Sequence, residues 1–313
     1  MKRFSKLIGI VLSLTMLTLI SGCGGGSSPS GSIPPSTPSA TQKTGILSLS
    51  ITDAPPILGD NVTEVNIAVI GIEYNYNGKW TEASDFVPQV FNLLDLQNGR
   101  SLHLGDLILP AGHYKEIRFK LAAPENTGDV KSNPDCNITF ADGSSVPLFV
   151  PSGGQSGFKG KGAFDITADA KISIMADFDV HKSIVVAGNS GKYILKPVIR
   201  LIVTELSGMI KGTVVDVSKY IDPESLVVFS YTDDTYKIDE EDEIDEIRFP
   251  NSISSSDVNM TDGNFTLSFL EEGNYTLVTA LYEGDTFVDV VDREDNVEVF
   301  KGETTLVDVN TSD

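Results

Sequence analysis

The sequence predicts an all-β protein: two antiparallel β-sandwich or barrel-like domains in tandem, behind an export signal and a flexible tether. Three observations predict it. Short apolar segments alternate with polar residues at a period of two, the mark of half-buried strands. Gly, Asn, Asp and Pro punctuate these segments at short spacing, as in sandwich and barrel turns. The charge also steps along the chain. From Gly45 to Ser207 there are 18 acids and 13 bases, a balance of -5; from Gly208 to Asp313 there are 26 acids and 6 bases, a balance of -20. That step sets a boundary near Ser207-Gly208, and so domains over 45–207 and 208–313.

The chain opens with Lys2, Arg3 and Lys6, then an apolar run from Leu7 to Ile20. This is a charged n-region and an h-region too short to span a bilayer, so it reads as a secretory signal. Leu19-Ile20-Ser21-Gly22-Cys23 resembles the lipobox of bacterial lipoproteins. The resemblance implies that residues 1–22 are a lipoprotein signal peptide and that Cys23 becomes a diacylated first residue. Its palmitate-type chains then hold the protein to a lipid bilayer. Gly24 stands where an inner-membrane retention signal has Asp, so the resemblance implies an outer-membrane home, facing the periplasm or the exterior. Residues 23–44 are Gly-, Ser- and Pro-rich and read as a tether with a reach of roughly 25 Å.

With 313 residues, 40% of them hydrophobic, and 15 Phe and 9 Tyr, the chain can build real cores. Of its two Cys, the lipobox takes Cys23, and Cys136 is left without a disulfide partner. The formal charge is -21, and removal of Lys2, Arg3 and Lys6 takes it to -24. Such a surface repels phosphate backbones and argues against nucleic acid as a partner.

In the first domain, Leu47, Leu49 and Ile51 alternate with Ser48, Ser50 and Thr52 as one strand, which Asp53-Ala54-Pro55-Pro56 stops. Val65, Ile67 and Val69 share one phase and Ile70, Ile72, Tyr74 and Tyr76 the other, so a β-bulge is expected beside Gly71. Asn77-Gly78 is a hairpin turn signal. A short helix-like stretch surrounds Val90 to Leu96. Ile117, Phe119 and Leu121 mark a further strand, and Ile172 to Val180 another, with Asp177 and Asp179 on its polar phase. Tyr193 to Val203 is apolar on both phases and reads as one central strand.

The second domain shows strands at Ile210–Val215, Leu226–Tyr231, Asn264–Phe269, Tyr275–Ala280, Asn296–Val299 and Thr304–Val309. A sandwich of about 100 residues accounts for them. Leu109 to Tyr114 and Leu270 to Tyr275 both read Leu-x-x-Gly-x-Tyr. A Tyr entering a strand after a turn can bond back to the backbone there, so Tyr114 and Tyr275 are expected to be tyrosine corners.

Several motifs together carry a resemblance. They are Ser50-Ile51-Thr52-Asp53-Ala54-Pro55, Leu109 to Tyr114 with Ile117-Arg118-Phe119, Val150 to Lys159, Asp177-Phe178-Asp179 with Lys182 to Val185, and Gly191 to Arg200. Over about Gly45 to Thr204 the chain resembles domain of unknown function 4382, which implies a β-rich secreted module with no established activity. Gly212-Thr213-Val214, Gly263-Asn264-Phe265, Leu270 to Tyr275 and Gly302 to Thr305 resemble the carboxypeptidase regulatory or transthyretin-like Ig-like sandwiches. Those modules imply a spacer or binding role.

The candidate sites are few. Asp239 to Glu246 is the densest acidic run, and Asp239, Glu241, Asp242 and Asp245 are candidate Ca²⁺ ligands, against a simple solvated loop. Asp285, Asp289, Asp292, Glu294 and Asp295 form a looser cluster. Ser152 to Lys159 is Gly-rich, and Ser152, Gln155 and Lys159 are candidates for a ligand loop that cradles an anion through backbone N–H groups. Asp53 joins them where strand order permits, or else caps a turn. Asp177 and Asp179 share one strand face and read as its wet side. No nucleophile elbow or phosphate loop occurs, and His103, His113 and His181 lack metal-ligand spacing. The expectation is therefore a non-catalytic envelope module that binds an envelope protein or an extracellular polymer. The alternatives are Ca²⁺-dependent adhesion and a hydrolase with its site in the first domain.

Overall fold

The computed structural model describes residues 42–54, 61–122, 135–150, 157–187, 192–243 and 247–311. Cys23, the signal, most of the tether, Ser152, Gln155 and Asp245 lie outside the described residues.

The fold is all-β, as the alternation predicts. The first region holds β1 (Thr44–Ala54), β2 (Val62–Tyr76), β3 (Lys79–Glu82), β4 (Gln89–Asn92), β5 (Leu102–Pro110), β6 (Gly112–Leu121) and β7 (Asn137–Phe140). It continues with β8 (Ser145–Phe149), β9 (Phe158–Ile166), β10 (Lys171–Asp179), one helical turn α1 (Val180–Ser183), β11 (Ile184–Ala187), β12 (Lys192–Leu195) and β13 (Ile199–Val203). These strands form one 13-stranded sheet, ordered β11-β12-β8-β7-β2-β6-β9-β13-β10-β1-β5, with β3 and β4 also on β2. The sheet curls on itself. Leu47 of β1 and Leu107 of β5 share a core with Ile72 of β2 and Ile138 of β7, strands far away in the sheet order. A flat sheet could not bring those side chains together.

Local chemistry sets the details. Leu47, Leu49 and Ile51 are fully buried, and Ser48 and Ser50 between them are half-buried, as a period of two requires. The β2–β6 register slips between Val69 and Gly71, which is the expected bulge. Asn77 and Gly78 both take positive φ, the backbone that a two-residue hairpin turn demands. Val90 to Leu96 resolves into β4 and a single 3-10 turn from Leu93 to Leu96, whose Leu94 N–H donates to the Asn92 side chain.

Two features differ from the sequence reading. Tyr193 to Val203 is two strands, β12 and β13, in separate parts of the sheet. Pro197 lies between them and cannot donate to a ladder, so the apolar run breaks there. The sheet is also mixed: β1 with β10, β8 with β12, and β9 with β13 run parallel. Periodicity marks a strand without marking its neighbour's direction.

The sheets change between β13 and the next strand. The second region holds β14 (Ser207–Val214), β15 (Glu224–Thr232), β16 (Ser254–Asp257), β17 (Asn264–Glu271), β18 (Gly273–Glu283), β19 (Thr286–Val299) and β20 (Thr304–Val309). A sheet ordered β17-β14-β20 faces one ordered β16-β15-β18-β19. Ile210, Phe265, Leu267 and Val309 meet Leu226, Val228 and Leu277 in the core between them. The opposite face of β15 and β18 is buried too: Phe229, Tyr231, Val278 and Tyr282 pack with Phe249.

Phe249 follows the acidic insertion, so that insertion is anchored at both ends. Glu240, at 1% exposure, accepts from the Tyr231 hydroxyl at 3.1 Å and from the Asn251 backbone and side-chain N–H groups at 3.1 and 3.0 Å. Its burial is compensated by three donors.

Candidate functional site

The most charged buried region lies where the end of the β1–β10–β13 ladder meets the second region. Thr52, Asp177 and Arg200 stand opposite one another on three neighbouring strands. This is the polar phase, which the alternation reads as the wet face. The structure corrects that reading: Asp177 and Asp179 are only 4% and 7% exposed. The second region covers them, and its Asp257 on β16 lies near enough to act on Asp53.

Each carboxylate has its own arrangement. Asp177 receives the Arg200 guanidinium at 2.7 Å. Burial nonetheless pushes its carboxyl up, and the Arg200 charge opposes that rise. Asp179 accepts from the Lys182 backbone N–H at 3.1 Å and pairs with Lys182 Nζ at 3.0 Å. Its burial raises the carboxyl, but the Lys182 and His181 charges and the hydrogen bonds from Lys182 together outweigh this and hold it below the usual carboxylate range. Asp53 Oδ1 accepts from the Val180 N–H at 3.1 Å, and Oδ2 is buried without a partner among the described residues. Burial, reinforced by the charges of Asp179, Asp177 and Asp257, drives Asp53 well above the carboxylate range even against the Val180 hydrogen bond. Asp53 therefore holds the α1 turn.

The α1 turn then reaches across. Lys182 Nζ donates to the Ser252 carbonyl, and His181 Nε2 meets the Arg248 carbonyl at 2.8 Å. The His181 ring packs 5.5 Å from Phe229 of β15, and burial keeps its pKa below the ordinary imidazole value. Ser256 of β16 donates to Asn98 at 3.3 Å. Gly99 takes positive φ where a Cβ would come within 2.7 Å of Ser268 Oγ, so a side chain there would be strained and would press on β17. Beside the seam a hollow of about 450 Å³ is lined by His181, Ile184, Arg248, Tyr282 and Phe287. Arg248 lies 4.4 Å over the Phe287 ring.

The sequence candidates fall in different places. Lys159 sits on β9 and pairs with Glu116 at 3.0 Å, with the Trp80 ring 5.6 Å away and Arg118 stacked on that ring at 3.8 Å. The strands β13 and β10 separate β9 from β1, so Lys159 and Asp53 do not meet. Lys196 is exposed at the end of β12. Asp239 and Asp242 are exposed, and Glu241 accepts from the Tyr236 hydroxyl at 2.5 Å. Among the described residues no group of three or more His, Cys, Asp or Glu is placed to hold a metal ion. Cys136 is buried, donates to the Ala122 carbonyl at 3.2 Å, and has its thiol pushed up to about 11 by burial. The seam residues His181, Lys182 and Arg200 were not legible as a site, because nothing in their spacing shows that a second set of sheets covers them.

Fold and seam together define an all-β protein of two sheet systems joined by a buried polar contact. Residues 44–197 match the family model described as "Domain of unknown function (DUF4382)". No curated protein matches the chain. Among solved structures, the chain is similar to the Bacillus anthracis TIE protein at 14% identity and a TM-score of 0.21, over 86% of this chain and 35% of that one. This chain thus spans about a third of that protein's length. It is also similar to GBS52, the minor pilin of Streptococcus agalactiae, at 12% identity and a TM-score of 0.21, over 85% of this chain and 96% of that one. The shaft pilin SpaA from Lactobacillus rhamnosus GG matches at 11% identity and a TM-score of 0.21, over 87% of this chain and 99% of that one.

Proposed function

We propose that this protein is an envelope lipoprotein, held to the outer membrane by acylated Cys23, that acts as a non-catalytic structural or binding module. Its two β domains, 45–207 and 208–313, form a rigid body that the tether carries away from the bilayer. It presents that body to an envelope protein or an extracellular polymer. One observation carries the reading. Most buried ionisable groups at the seam are taken up in structure: within the first region Asp177 pairs with Arg200 at 2.7 Å and Asp179 with Lys182 at 3.0 Å, Lys182 and His181 reach backbone carbonyls of the second region, and Asp53 holds the Val180 N–H through one oxygen. Groups locked in this way serve architecture, whereas acid–base catalysis needs a group free to exchange a proton with substrate.

The test uses the full chain in its native cells. The wild type should label with palmitate, stay in carbonate-washed membranes and co-purify with an envelope protein or polymer; Cys23→Ala should do neither of the first two. Turnover of a substrate in a hydrolase screen by a chain that captures no partner would overturn the proposal.

A further inference from the structure

Six Asn-x-Ser/Thr triplets occur in the chain, at Asn61, Asn137, Asn259, Asn264, Asn274 and Asn310. Five of them also carry an acid two places before the Asn: Asp135, Asp257, Asp262, Glu272 and Asp308. All four triplets of the second region have this acid, although acids fill only 26 of the 106 positions from Gly208 to Asp313. The triplet is the acceptor motif for N-linked glycans in exported proteins. A carboxylate at a fixed offset is a second recognition point, because an Arg beside a transferase's peptide groove would pair with it strongly.

The structure sorts the five that carry the acid. Asn137 is half-buried in β7, where its side chain accepts from Asn66 at 3.2 Å. Asn259, Asn264, Asn274 and Asn310 are exposed, and so are Asp262, Glu272 and Asp308 before them; Asp257 has exposed surface too, but it borders the seam beside Asp53, and burial pushes its carboxyl up to about 7. Asn259 is the best presented. It lies in the turn between β16 and β17, and Thr261, two places on, is exposed as well. Asn259 Oδ1 accepts from the Thr261 N–H at 2.9 Å, and Nδ2 has no partner among the described residues. Thr266 is half-buried and Thr276 is buried, so Asn264 and Asn274 present their triplets less fully.

We propose that the second region is N-glycosylated, with Asn259 as the principal acceptor and Asn264 and Asn274 as further ones. The donor is a lipid-linked oligosaccharide used by a membrane-bound transferase. Asn259 Nδ2 bonds to the anomeric carbon, and the bond from that carbon to the lipid phosphate oxygen breaks. The lipid phosphate leaves with the electron pair, and the amide proton passes to a base of the transferase. The inference rests on the export reading above, since the acceptor must reach the far side of the membrane.

Mass spectrometry of the full chain from its native membranes tests it. Trypsin releases Phe249–Arg293, which contains Asn259, Asn264 and Asn274. This peptide should be heavier by up to three copies of one glycan mass. Asn259→Gln should remove one copy, and Asp257→Asn should remove the same copy while leaving the acceptor amide in place. The acylated peptide Cys23–Lys43 reports export separately. A bare Phe249–Arg293 beside an acylated Cys23–Lys43 overturns glycosylation and leaves the export reading standing. A bare Phe249–Arg293 beside an uncleaved signal overturns both.

Discussion

The hydroxyl of Tyr275 donates to the carbonyl of Glu271, four residues back, at 2.8 Å. Tyr114 makes the same bond to Pro110 at 2.7 Å in the first region. Each ring roots a strand start in its own core, and Tyr114 also stacks on Phe164 at 5.3 Å. Removing either hydroxyl leaves a carbonyl without its donor at the strand entrance. Tyr275→Phe and Tyr114→Phe should each cost about 1 kcal/mol, read as a lower urea midpoint at unchanged slope. A cost below about 0.3 kcal/mol for both would show that the corner bonds contribute little.

Asp53 makes stability depend on pH. Its folded-state pKa is raised above its unfolded value, through burial first and then its acidic neighbours. Its contribution is therefore fully present below the unfolded pKa and is lost as pH rises through the folded one. Asp53→Asn keeps an acceptor for the Val180 N–H and cannot ionise. The variant should match wild type near pH 4 and melt higher than wild type at pH 8. A constant offset across that range would contradict this account.

His181 acts with the opposite sign. Burial lowers its pKa, so its contribution is present above the ordinary imidazole value and is lost as pH falls through the folded one. Replacing His181 by Gln should flatten the acid limb of the stability profile below about pH 6.5. An unchanged acid limb would assign that loss to other groups.

Lys182 is the tie across the seam. It pairs with Asp179 and donates to Ser252. Lys182→Met would leave Asp179 buried and uncompensated, at a cost of about 3–5 kcal/mol. Thermal unfolding should then separate into two steps, and proteolysis should reach the chain between Val203 and Ser207. A single cooperative step with wild-type protection would show that the seam holds without it.

Glu240 organises the acidic insertion through its three donors. Glu240→Ala should cost about 2–3 kcal/mol and expose Phe249, measured as increased binding of an apolar dye. Glu240→Gln, which keeps part of the acceptor set, should cost less. Equal effects would mean that the side-chain volume matters more than its oxygens.

Much of the fold was legible. Strand positions, the bulge at Gly71, the Asn77-Gly78 turn and both tyrosine corners depend on near neighbours in the chain, and side-chain period and turn chemistry report near neighbours directly. The break at Pro197 was also legible in principle, since a missing N–H outweighs an apolar run, but the two apolar phases on either side of it masked the signal. The candidate site was legible only in part. Asp53 was singled out and does lie at the seam; Asp177 was read as wet face and is buried beside it; Lys159 was singled out and lies on β9, with β13 and β10 between it and β1.

The sequence by itself determined which segments are strands, where they turn and which face of each is apolar, because those properties follow from the local alternation of side chains. Only the tertiary structure decided the strand order, the parallel pairs and the burial of Asp53, Asp177, Asp179 and Lys182 on phases that the alternation marks as wet. The physical reason is that desolvation depends on what lies across the interface. Thr52 and Asp177 carry the same polar pattern as any solvated strand face, and they become interior because distant chain closes over them: the Thr52 hydroxyl donates to the Leu96 and Arg100 carbonyls, and Asp177 takes the Arg200 guanidinium.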